Sequence, residues 1–166
     1  MTKSVEAARI GSTPGRGLGA SQLAAVFLRL ALGTGLLSAV ADRFGFWGPP
    51  GAVLVTWGNF QNFLAYTAKI NPWCPSAFLP PLGEFVTIAE AGLGILLILG
   101  ISTRLAAILT GLMTLAFAAA MTLVLGVHAP LIYSVFVFSA ASFLLASQPP
   151  DKLSIDNFRE LTSRQR

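Results

Sequence analysis

The stretch LGEFVTIAEAGLGILLILG, running from Leu82 to Gly100, decides the fold. It is long enough to cross hydrocarbon at ~20 residues per helical span, yet it carries Glu84 near one end and Glu90 in its middle. A carboxylate at that depth needs a partner, because an unpaired charge in hydrocarbon is expensive. Ser102-Thr103-Arg104 closes the stretch, and another apolar run follows at once.

Working outward, the segments Ala20–Ala41, Leu105–Leu125 and Leu131–Ala146 also meet or approach the spanning length, the last being short. The composition agrees: of 166 residues 54% are hydrophobic and 11% charged, against about 25% charged in a soluble domain. Mean hydropathy is +0.71. The expectation is an all-α integral membrane protein, a four-helix bundle at residues 20–148. A Gly- and Ser-rich flexible lead (1–19) precedes it and a charged tail (149–166) follows. The first span has a long leading region and holds Arg29 in its apolar core, so it reads as a retained helix rather than a cleaved signal.

Charge placement sets the orientation. Lys3, Arg9, Arg16, Arg104, Lys152, Arg159, Arg164 and Arg166 fall on one side of a four-crossing chain, against Arg43 and Lys69 on the other. The positive-inside rule then puts both termini in the cytoplasm. The formal charge of +4 thus reports topology and the lipid bilayer as partner, not nucleic acid.

Between the first two spans lies the longest connection, and it holds Trp47, Trp57 and Trp73. Val53, Trp57, Phe60 and Leu64 recur at helical spacing, so an amphipathic interfacial helix is expected over Ala52–Lys69, with Tyr66 and the tryptophans at headgroup level. Small residues mark packing faces: Ala31, Gly35 and Ala39 in the first span, and Ala107, Gly111, Thr114, Ala118 and Thr122 in the third. No broken helix or inverted repeat is evident, which disfavours a transporter.

Counting ~1.5 Å per residue, Glu90 lies ~15 Å from Gly100 and Arg29 ~13 Å from Ala20. Similar depth on antiparallel neighbours makes an Arg29–Glu90 pair the expected intramembrane polar site, with Gly94 clearing space beside it. The pair either forms a ligand- or proton-binding centre or merely fixes helix register. Asp42, Arg43 and Glu84 read as interfacial anchors or the mouth of a site. His128 reads as a loop residue able to exchange protons. Trp57 and Tyr66 read as anchors or a roof over a pocket, and Cys74 as a small loop residue or a free thiol. The single cysteine excludes an intrachain disulfide, and no Cys/His spacing suggests a metal site.

Arg29-Leu-Ala-Leu-Gly33, then Glu90-Ala-Gly-Leu-Gly-Ile-Leu-Leu-Ile-Leu-Gly100-Ile-Ser-Thr-Arg104-Leu-Ala-Ala, resemble the DoxX-like family of small four-helix bacterial membrane proteins over about Ala20–Ala146. Phe63-Leu-Ala-Tyr-Thr-Ala-Lys-Ile-Asn-Pro-Trp73 looks like a subgroup feature of the same family. The resemblance implies the bacterial inner membrane and membrane redox chemistry, the related DoxD-type subunit belonging to a thiosulfate:quinone oxidoreductase. It carries over no catalytic motif. No cofactor is evident in the sequence, so a quinone or a partner subunit would have to supply the redox group. The expectation is an accessory or quinone-interacting subunit of a membrane oxidoreductase. The alternative is a non-enzymatic membrane scaffold or small apolar-ligand-binding protein whose Arg–Glu pair is structural; the expected protein partner is an oxidoreductase subunit or further copies of this chain in a homo-oligomer.

Overall fold

The computed structural model describes residues 19–163, and the expected flexible lead lies almost entirely outside them. The elements in order are α1 (Ala20–Arg43), α2 (Phe60–Ile70), a 3₁₀ turn (Ser76–Phe78), α3 (Leu79–Leu99), α4 (Thr103–Leu125), α5 (His128–Ile132), α6 (Val135–Ser147) and α7 (Ile155–Ser163). Every regular element among the described residues is helical. Three segments, Ala20–Arg43, Ser76–Leu99 and Thr103–Leu125, are long and apolar enough to cross a membrane.

The bundle is two helix pairs, α1 on α3 and α4 on α6, joined through α3 and α4. Leu32, Leu36, Leu93, Leu97, Ala106, Ala107, Leu145 and Ala146 form the shared core. Close approach of α1 to α3 depends on Gly33 and Gly94. A Cβ at Gly33 would stand 2.9 Å from the Gly94 carbonyl oxygen, and one at Gly94 would stand 3.0 Å from that of Gly33. Ala31, expected on the packing face, is exposed, and Gly35 lies instead under the Phe138 ring of α6. The α4 stripe does pack: Phe143 lies on Gly111, and the Ser139 hydroxyl donates to the Gly111 carbonyl at 2.8 Å.

Two elements depart from expectation. The loop helix begins at Phe60, not Ala52, capped by the Asn59 side chain accepting from Asn62 N–H at 2.8 Å. Residues 44–59 are turns instead, and Gly58 (φ +65) runs so close to Pro50 that a Cβ there would collide with its backbone. The segment read as one span over Leu131–Ala146 is broken, because Ser134 adopts φ +53 and separates α5 from α6. With 13 residues, α6 alone is ~20 Å long. That falls short of the ~30 Å hydrocarbon thickness.

Candidate functional site: a charged pair under an aromatic cavity

Arg29 and Glu90 do not meet. Packing of Gly33 against Gly94 and Ile98 fixes the α1–α3 register and places Arg29 at the C-terminal end of α3. Its Nη1 donates to the carbonyls of Leu97 at 2.8 Å and Ile98 at 2.7 Å. Its Nε stands 3.0 Å from Asp151 Oδ2. The depth estimate failed because it levelled Ala20 with Gly100, whereas the first turns of α1 project beyond α3. There Gln22 Oε1 accepts from the Lys152 N–H at 3.0 Å. Arg29 therefore neutralises the negative end of α3 and anchors the segment after Pro150.

Glu90 pairs instead with Arg43, the last residue of α1, through Nη2 and Oε2. The site is built outward from this contact. Thr87, one turn before Glu90 on α3, gives its hydroxyl proton to the Gly83 carbonyl at 2.8 Å and accepts from Arg43 Nη1 at 2.8 Å. The guanidinium carbon lies 3.7 Å from the Phe63 ring centroid, a desolvated cation–π contact. Arg43 is 3% exposed and Glu90 6%, so of the two expectations for Arg43, an interfacial anchor or part of a site, its burial beside Glu90 matches the second. Arg43 Nε is buried without a hydrogen-bond partner.

Asp42 shapes the roof. It is 6% exposed, and its Oδ2 accepts from the backbone N–H of Thr56 at 3.1 Å and of Trp57 at 2.7 Å. These bonds pin the turn segment and bring Trp57 over Phe63 and Tyr66, at ring-centroid distances of 5.6 and 4.9 Å. Together with α1, α4 and the α5–α6 break they line an open-sided cavity of about 430 Å³, within the range of small-molecule sites. Arg43, Glu90, Trp57, Tyr66 and Tyr133 line it. Burial and the neighbouring Tyr133 raise the Tyr66 hydroxyl above its ordinary value. It stays a proton-bearing donor across the physiological range.

Of the sequence candidates, the structure thus gathers Glu90, Arg43, Trp57 and Tyr66 at one cavity, with Asp42 behind it. Arg29 belongs to the opposite end of the bundle. Glu84 and His128 are exposed, Cys74 is a half-buried free thiol, and none of the three lines the cavity. Thr87, Phe63 and Tyr133 were missed. Thr87 carried a signal, since it precedes Glu90 by three residues and so shares its face; Tyr133 carried none, because its position depends on the break at Ser134. Among the described residues no group of His, Cys, Asp and Glu is arranged to hold a metal ion.

Comparison with protein-family models, curated proteins and solved structures finds no match to this chain. Its chemistry is read from its own groups. The cavity offers a fixed cation, a carboxylate beside it, two phenols and aromatic faces, a set suited to a planar molecule with polar edges.

Proposed function

We propose that the chain is a DoxX-like integral membrane protein that holds a quinone, as an accessory or quinone-interacting subunit of a membrane oxidoreductase. The observation that carries this is the cavity of about 430 Å³ with Arg43–Glu90 in its wall and Trp57, Tyr66 and Tyr133 around it. A buried N–H without a partner is costly, and a ring carbonyl oxygen beside Arg43 would relieve it. The two phenols bear hydroxyl groups for a ring oxygen, and Glu90 is the carboxylate that can hold a proton. A quinone, when bound, supplies the coupled electron and proton chemistry.

In this reading the chain crosses a bacterial inner membrane four times, α5–α6 making the last crossing, with both termini cytoplasmic and α2 at the outer interface. Exposed Trp47 and Trp73 near the cavity end support that placement. The test is mass spectrometry of lipophilic molecules extracted from gently purified wild type and Glu90→Gln. A quinone enriched with the wild type and depleted in the folded variant is expected; no enrichment in either would overturn the reading.

One observation favours a second reading, a scaffold or apolar-ligand-binding protein. Arg43 already has an ion pair, a hydrogen bond and an aromatic face, enough for a purely structural pair. Under that reading Arg43→Met with Glu90→Leu folds and keeps its partners, since replacing both members of a buried pair is often neutral.

A further inference from the structure

The cavity has a weak wall. Residues of α1 and α6 form one side, yet these two helices pack far less closely on each other than α1 does on α3 or α4 on α6. On α1 this seam is made of Gly35 and Ala39, and on α6 of Val135 and Phe138. At Gly35 the closure is a single ring edge: a Cβ there would stand 2.9 Å from Phe138 Cε2. The break at Ser134 lies at the same level. A continuous fourth helix would carry regular side-chain packing through this level, whereas the break starts α6 afresh beside the cavity.

Outside the seam both helices expose large apolar side chains, with Thr34 and Ser38 of α1 also exposed. Phe27 and Leu30 of α1 and Val137 and Leu144 of α6 are exposed, as expected of faces turned to acyl chains. A path from lipid through this seam ends at two side chains that are both more than nine-tenths buried, Arg43 and Glu90. One of them, Arg43, has an unpartnered N–H.

We infer that the α1–α6 seam is a lateral portal, and that the ligand is a membrane-dissolved amphiphile. Its planar polar head occupies the cavity and its long apolar tail leaves over Gly35 and Ala39 into the bilayer. The inference rests on the quinone reading and adds the route and the chemical class. Over Gly35 the Phe138 ring edge fills the space that the missing side chain leaves, so the tail takes this route when that ring, which turns about its own side-chain bonds, swings aside. The head is held by charge and aromatic faces and the tail by lipid, so a ligand without a tail still fits the head site.

The experiment compares two probes, a benzoquinone carrying a long isoprenoid tail and the same ring with a methyl group in its place. Binding is measured to full-length protein in lipid nanodiscs for wild type, Gly35→Leu and Ala39→Leu. Filling the seam is expected to weaken the tailed probe by about tenfold or more beyond any loss of the tailless probe, the tailless probe reporting on the head site that these residues also border. Ala39→Leu carries the test if the crowding of Phe138 prevents Gly35→Leu from folding. Undiminished tailed-probe binding in the folded variants would overturn the portal and leave the quinone reading standing, with the seam available to lipid or another helix. Equal loss of both probes would also overturn it, since the substitutions would then act on the head site. If neither probe binds the wild type, the quinone reading fails and the portal with it.

Discussion

Arg43 is held from three directions, by Glu90, Thr87 and the Phe63 ring, and this sets what its loss should do. Glu90→Leu strands a buried guanidinium and is expected to cost about 3–5 kcal/mol, whereas Arg43→Met with Glu90→Leu should recover most of that. Thermal unfolding in detergent of the single and double variants checks the coupling; a double variant as unstable as the sum of the singles would refute it. The other buried arginine works differently. Arg29 donates to two carbonyls at the end of α3 and faces Asp151, so Asp151→Asn should destabilise less than Arg29→Ala, because the backbone contacts survive it. The same unfolding assay reads that order.

The turn between α3 and α4 is stitched at both ends by opposite charges. Arg29 serves the C-terminal carbonyls of α3, and the Asp156 carboxylate of α7 accepts from the N–H groups of Ser102 and Thr103 at 2.7 Å each, where α4 begins. Burial opposes ionisation of Asp156, but the bonds from Thr103 and Ser102 outweigh it and hold its carboxyl below the ordinary 3.8. A depressed carboxylate gives stability that is complete above its unfolded pKa and is lost as pH falls through the lower, folded value. The α7 contact should therefore be constant at neutral pH and loosen only below about pH 4. Asp156→Ala should remove about 0.5–1 kcal/mol, the lower part of the capping range, because the carboxylate is partly solvated. Faster amide exchange at Ser102 and Thr103, in acid or in the variant, is the measurement. Much at this scale was legible: the long apolar helices, the turn after Gly100 and the α4 stripe of Ala107, Gly111, Thr114 and Ala118 all follow from composition and spacing. The Arg29 partner was not, since axial register depends on which glycines touch across two helices. Gly33 and Gly94 decide that, and periodicity within each helix is silent on it.

The molecule as a whole has two polar ends joined by an apolar middle, the Arg43–Glu90 cavity at one and the Arg29–Asp151–Asp156 cluster at the other. Cys74 lies in the connection between α2 and α3 and is the chain's one cysteine. In the proposed topology a membrane-impermeant maleimide should label it in intact cells; labelling only after permeabilisation would invert the topology. The cluster at the opposite end orders the events of synthesis. Arg29 enters the membrane with the first helix, but its carboxylate and the segment that covers Gly100 lie beyond Pro150. Until residues 151–156 leave the ribosome, the nascent bundle carries an unneutralised arginine and an uncapped α4. A premature stop after the fourth hydrophobic segment would thus yield an inserted chain that quality-control proteases can recognise.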